Sequence, residues 1–274
     1  MKQRKGGRTK LIGHPEVPAK KMSVSEYAAR EYLQDMSMEQ KMNQMIFLHY
    51  QGQSVEQLKQ YQPGGIILFA DFFKGKSRET VIEDIARMQE VCEIPMLVGV
   101  DEEGGTVIRV SRYKRLAEEK FRSPQELYAA GGMEEIASDT EKKAALLHAL
   151  GINVNLAPVA DVSVNASDYI YQRTFGKNAE ETAEYVATVV EEMQRDNMGS
   201  VLKHFPGYGN NRDTHKGFAV DNREYADFET VDFLPFQAGI AAGADSVLVS
   251  HNIVMCMDES LPASMSPEGH DILR

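Results

Sequence analysis

The chain has only two cysteines in 274 residues, no long apolar run and no excess of basic side chains. Each absence excludes a class of protein. Cys92 closes a helical stretch and Cys256 lies in an apolar run, so both read as packed thiols rather than as a disulfide framework. No stretch reaches the roughly 18 apolar residues that a membrane span needs, and no hydrophobic segment follows the basic start to form a signal peptide. As written, the chain is expected to be cytoplasmic, or extracellular if an export signal has been removed upstream. Lys and Arg number 30 against 41 Asp and Glu, a net charge of -11 that excludes nucleic acid as a partner, because phosphate binding needs a basic face. There is no Cys-x-x-Cys, no His-Glu-x-x-His and no calcium-loop carboxylate cluster, and neither Gly104-Gly105 nor Gly207-x-Gly209 has the spacing of a phosphate cradle. No metal and no cofactor are expected.

The basic residues that do cluster lie in 1–21, where Lys2, Arg4, Lys5, Arg8, Lys10, Lys20 and Lys21 face a single acid, Glu16. Residues 1–35 therefore read as a solvated basic leader with a first helix. Residues 36–274 carry no linker or low-complexity tract and read as one α/β unit, long enough to bury a sizeable core. Short β-type runs at 44–50, 65–69, 96–101, 153–158, 200–204 and 246–251 alternate with helical stretches, the pattern of parallel βα units. Val81, Ile85, Met88 and Cys92 recur at helical spacing, as do Ala183, Val186, Val190 and Met193, marking faces that lie against the sheet. Polar residues sit at the carboxyl ends of the runs: His49, Asp101, Asp161, Lys203, His204 and His251. In a parallel barrel those ends share the face on which sites are built.

The densest chemistry lies in residues 203–215, Lys-His-Phe-Pro-Gly-Tyr-Gly-Asn-Asn-Arg-Asp-Thr-His. A cation and an imidazole leave the end of an apolar strand and a glycine-hinged turn follows. Asp213 and His215, two apart, are spaced for a carboxylate to orient an imidazole as acid or base. A lysine at the end of an apolar strand must find partners, and a pocket of carboxylates and hydroxyls supplies them. Asp101 and Arg109 flank a Glu-Glu-Gly-Gly turn suited to holding several hydroxyls; taken alone, an acid before Gly-Gly is also an ordinary βα turn. Glu102 and Glu103 read equally as helix caps or solvent-facing acids.

The 203–215 stretch resembles the signature of glycoside hydrolase family 3, in its β-N-acetylglucosaminidase branch, where Lys-His-Phe-Pro-Gly runs into a loop ending Asp-Ser/Thr-His. Four further stretches agree in order: 64–69, 98–105, 155–161 and 173–176. The resemblance covers about residues 36–274. It implies a TIM-type (β/α)8 barrel, here incomplete, with about six βα units present and the last two missing. It also implies a retaining exo-β-N-acetylglucosaminidase acting on small peptidoglycan-derived or chitin-derived carbohydrates. His215 would be the general acid/base and Asp213 its partner, in place of the usual carboxylic acid. Asp101 would accept from sugar hydroxyls, and Arg109, Arg173, Lys203 and His204 would complete the substrate contacts.

In this family the nucleophile is an aspartate at the end of the seventh barrel strand, and no aspartate here sits in that context. The expectation is a chain truncated at its carboxyl end, whose open barrel edges are covered by a companion chain or by strand exchange. The alternative is a catalytically inactive fragment that at most binds sugars.

Overall fold

The structure, a computed structural model, describes residues 24–211 and 219–274. The expected acid/base residues Asp213 and His215 lie outside the described residues. Six strands form one curled parallel sheet, a half-barrel flanked by helices and thus an incomplete TIM-type (β/α)8 barrel. In chain order they are β1 (Phe47–His49), β2 (Gly65–Leu68), β3 (Leu97–Val100), β4 (Val154–Asn155) and β5 (Gly199–Phe205), joined at the far edge by β7 (Ser246–Val249). A second ladder pairs β6 (Val220–Asp221) with β8 (Ile253–Val254), also parallel.

Sequence neighbours are sheet neighbours throughout β1 to β5, as expected when each strand returns through a crossover. Crossovers cover the sheet, so β2 and β3 are apolar almost continuously rather than alternating, and Ile66, Leu68, Val98 and Val100 are fully buried. Helix Arg78–Glu90 buries Val81, Ile85 and Met88; helix Ala179–Arg195 buries Val186, Val189, Val190 and Met193. Ser77 and Asn178 accept the first free backbone N–H groups of these two helices. The stripes read from the sequence are therefore core faces.

Two strands fall short of their apolar runs by four residues each. The run at 44–50 yields only β1, because Ser37 and Gln40 form a capping box that starts helix Met38–Gln44 and draws Gln44 into it. The run at 153–158 yields the two-residue β4, beyond which Leu156 still donates to the Val100 carbonyl and Ala157 accepts from Val201. Pairing resumes in the single bridge between Val159 and Lys203. That bridge places Lys203 at the carboxyl end of the sheet.

Gly64, just before β2, lies tight against the end of helix Met38–Gln44. A Cβ there would lie 2.0 Å from the Gln44 carbonyl oxygen, which belongs to backbone and cannot rotate away. Gly64→Ala is expected to cost about 1–3 kcal/mol, the range for overpacking a fixed contact. Urea unfolding of the variant checks this, and an unchanged midpoint would show that helix Met38–Gln44 yields freely.

Candidate functional site

At the carboxyl end of β5, Lys203 is 1% exposed as a residue, yet its side chain carries an ammonium. Its Nζ lies 2.7 Å from Asp101 Oδ1 and 2.5 Å from Glu103 Oε1. Asp101 is the first residue beyond β3, and Glu103 follows two positions later on the same side of an extended chain. Glu103 accepts a second cation: Arg173 donates through Nε at 3.0 Å and Nη2 at 2.8 Å, a bidentate pair. Arg173 Nη2 also stands 3.2 Å from His204 Nε2, and His204 Nδ1 lies 2.7 Å from Asp161 Oδ2. A carboxylate only accepts, so the Nδ1 proton points at Asp161 and the Nε2 lone pair faces Arg173. Asp101, Lys203, Glu103, Arg173, His204 and Asp161 thus form one continuous polar chain across the ends of β3, β4 and β5.

Backbone bonds brace the segments that carry this chain. Glu102 is fully buried; its carboxylate accepts the N–H groups of Arg109, Val110 and Ser111 and the Ser111 hydroxyl, which fixes the turn after Asp101. Asn155 on β4 exchanges two hydrogen bonds with the Glu102 backbone, at 3.0 and 3.1 Å. Beneath the turn, Lys143 Nζ donates to the Glu103 carbonyl at 3.0 Å. Arg173 ends a short helix, Tyr171–Arg173, whose flanking carbonyls of Tyr171 and Thr174 accept from Gln125. Asp161 also receives the N–H groups of His204 and Tyr208, so it fixes both ends of the Phe-Pro-Gly turn.

The chain has a reachable layer and a buried one. The side chains of Asp101, Arg173 and His204 keep 15%, 17% and 15% exposure, whereas those of Lys203 and Glu103 keep 2% and 4%. Acceptors and forked donors therefore face solvent from a floor that holds them still. That suits a neutral ligand bearing several hydroxyls. Among the described residues, no group of three or more His, Cys, Asp or Glu is placed to hold a metal.

The structure brings four expected residues together: Asp101, Arg173, Lys203 and His204. Arg109 is not linked to them by a hydrogen bond; its guanidinium lies 5.7 Å from the Phe69 ring centre and its buried Nε has no partner. His251, at the end of β7, is exposed and bonds Ser264. Glu103 was left open between cap and surface, and it is the residue through which the two cations meet. Its spacing of two from Asp101 in an extended run was the available signal. Asp161 was noticed as a strand-end acid, but its grip on His204 depends on the β4–β5 register, which no local pattern encodes.

Burial alone would raise the Glu103 carboxyl, but Lys203 and Arg173 outweigh it and hold the group down at about 2. Arg173 is raised: burial pulls it down, but the bonds and charge of Glu103 more than compensate. A depressed carboxyl stabilises the fold above its unfolded value, near 4.3, and that contribution disappears as pH falls toward 2. It amounts to something on the order of 3 kcal/mol. Thermal unfolding followed from pH 6 to pH 2 should show this loss in the wild-type chain. Glu103→Gln should be less stable at pH 6 and should lack that part of the acid dependence; an identical acid profile would remove Glu103 as its source.

The sequence model of the glycosyl hydrolase family 3 N-terminal domain matches residues 37–274. A β-hexosaminidase of Stenotrophomonas maltophilia is 34% identical over 217 residues, which are 77% of this chain and 63% of that protein. The chain thus spans about three fifths of the length of the curated relatives it matches. Among solved structures, a family 3 β-N-acetylglucosaminidase from Paenibacillus sp. superposes with a TM-score of 0.79 at 26% identity, covering 87% of this chain and 47% of that one. NagZ from Neisseria gonorrhoeae shares the fold, with a TM-score of 0.68 at 24% identity over 79% of this chain and 64% of that one. With the family match running from just before the first barrel helix to the last residue, and with the polar chain at the strand ends, this chain belongs to glycoside hydrolase family 3 through its N-terminal domain.

Proposed function

We propose that the chain supplies the sugar-binding floor and the acid/base pair of a retaining exo-β-N-acetylglucosaminidase that removes terminal N-acetylglucosamine from peptidoglycan-derived or chitin-derived sugars. The supporting observation is the layered polar chain, in which Asp101, Arg173 and His204 face solvent over the buried Lys203 and Glu103. Asp101 accepts from sugar hydroxyls, Arg173 and Arg109 donate to them, and the third N–H of Lys203 remains for a hydroxyl beside Asp101. The β-hexosaminidase names of the relatives favour an N-acetylated sugar. His215 gives its proton to the glycosidic oxygen and later takes one from the attacking water, while Asp213 fixes its tautomer.

The nucleophile belongs to polypeptide that closes the barrel. At the amino ends of the strands a cavity of about 860 Å³ is lined by Phe47, Leu97, Leu156, Val201, Val247 and Leu248. Phe47 and Leu97 are 41% and 52% exposed there, and β1 and β7 are sheet edges. A companion chain or strand exchange with a second copy would cover both edges and bring a carboxylate to the site. A second reading, sugar binding without hydrolysis, is favoured by one observation: Asp101, the exposed acid of the cluster, is engaged by Lys203 rather than free to attack.

Purified 1–274, of confirmed mass and recorded oligomeric state, is assayed on a fluorogenic β-N-acetylglucosaminide. The expected result is no hydrolysis by a monomer; robust turnover by one would place the nucleophile within these residues. In any active assembly, His215→Ala should cut turnover roughly 10²–10⁴-fold, most severely for poor leaving groups. Intact turnover of such substrates would remove His215 from the role.

A further inference from the structure

Helices Pro124–Ala149 and Ala179–Arg195 pack against each other, and where they meet the turn that carries Glu103 they leave a cavity of about 20 Å³. Its wall is largely apolar, yet Asp139, Lys143 and Tyr185 also line it. Asp139 and Lys143 stand one helical turn apart and are only 8% and 7% exposed. Lys143 Nζ donates to the Glu103 carbonyl at 3.0 Å and lies 3.2 Å from Asp139 Oδ2. That contact is an ion pair without hydrogen-bond alignment, so Oδ2 is buried with no hydrogen-bond partner. The proposed chemistry uses none of these three side chains.

Other polar groups of the wall are already committed. Asn155 uses both ends of its amide on the Glu102 backbone, and the Thr140 hydroxyl donates to the Ile136 carbonyl at 2.8 Å. Tyr185 differs: burial raises its hydroxyl above the usual range, and the charges of Glu103 and Asp139 add to the rise. It therefore stays protonated, a donor beside acceptors. The room decides the occupant. A single water needs roughly 10–15 Å³ and two to four polar partners. No organic ligand fits such a volume, and the Lys143 ammonium repels a metal cation.

We propose that this cavity binds one structural water, held by Asp139 Oδ2, the Lys143 ammonium and the Tyr185 hydroxyl, and that Asp139 and Lys143 are thereby positioning residues for the Asp101–Glu103 turn. A buried ion pair contributes little to stability over an apolar pair of the same shape. Its effect here is geometric. It fixes the backbone of the residue whose carboxylate holds both Lys203 and Arg173, and the water satisfies the carboxylate oxygen that Lys143 alone leaves without a hydrogen bond. The consequence for ligand binding rests on the sugar-binding reading above; the water and the brace are judged without it.

The test compares the full chain with the double variant Asp139→Leu/Lys143→Met, which strands neither charge, and with Tyr185→Phe, which removes only a hydroxyl. Oxygen-17 relaxation dispersion of the solvent should report one more long-lived internal water in the wild type than in the double variant, because an apolar cavity of this size stays dry. Equal numbers overturn the water site. The amides of Glu103, Gly104 and Gly105, bonded to the carbonyls of Val107 and Phe121, should exchange roughly 10-fold or more faster in the double variant, with those of β2 unchanged. Unchanged exchange at 103–105, or a rise shared with β2, overturns the brace. Tyr185→Phe should shorten the water's residence time and speed the same amides less. Where the double variant does not fold, Tyr185→Phe decides alone, and no change in either readout overturns the proposal. Calorimetric titration with N-acetylglucosamine should show roughly 10-fold weaker binding by the double variant; equal affinity overturns the positioning role. If the wild type binds no sugar, the sugar-binding reading fails while relaxation and exchange still decide the water and the brace.

Discussion

Burying one ammonium group organises the site. An unpaired charge in a protein interior costs far more than any single packing contact returns, so Lys203 can lie at 1% exposure only if carboxylates come to it. Asp101 and Glu103 do so from the end of β3, which ties β5 to a strand two places away in the sheet. The turn that carries them must then be rigid, and the buried Glu102 makes it so through backbone N–H groups of residues 109–111. Glu103 in turn holds Arg173 from the loop after β4. One buried charge thus fixes the relative placement of three chain segments.

The two ends of the sheet are built on opposite terms. At the carboxyl end, charges sit in a network of short bonds, with Arg109 Nε and Asp232 Oδ1 among its few unpartnered buried atoms. At the amino end, Phe47 and Leu97 remain substantially exposed around a wide cavity. Apolar surface of that kind is ordinarily covered. The asymmetry separates the two ends: the polar chain at the carboxyl end is braced within the described residues, whereas the barrel is not closed by them.

Much of this was legible because strand ends announce themselves. Apolar runs that stop at Asp101, Lys203 and His204 put charge where a parallel sheet collects it, and helical stripes such as Val81, Ile85 and Met88 were core faces as read. What escaped was information held in pairing. β1 shrank to three residues as a capping box upstream claimed Gln44 for a helix. Glu103 read as a helix cap or a solvent-facing acid until β5 set Lys203, and the loop after β4 set Arg173, against it. Arg223 gave no local signal at all; its partners are an aspartate two residues before it, another on a later helix, and a carbonyl sixteen residues upstream.

In the proposed function, recognition and proton transfer fall to different kinds of structure. Groups that hold a ligand must not move, and here they sit at strand ends braced by backbone bonds. A group that donates and later recovers a proton needs its geometry set relative to that floor, not rigidity of its own. The Arg223 cluster meets the Phe-Pro-Gly turn from behind through Gly207, and Asp161 meets it from the front through Tyr208. A turn gripped on both sides by buried carboxylates and one guanidinium is held in fixed register with β5. Loss of chemistry would therefore leave the floor standing, since none of its bonds depends on the cluster behind the turn, and an arrangement that binds without hydrolysing is physically coherent for a chain built this way.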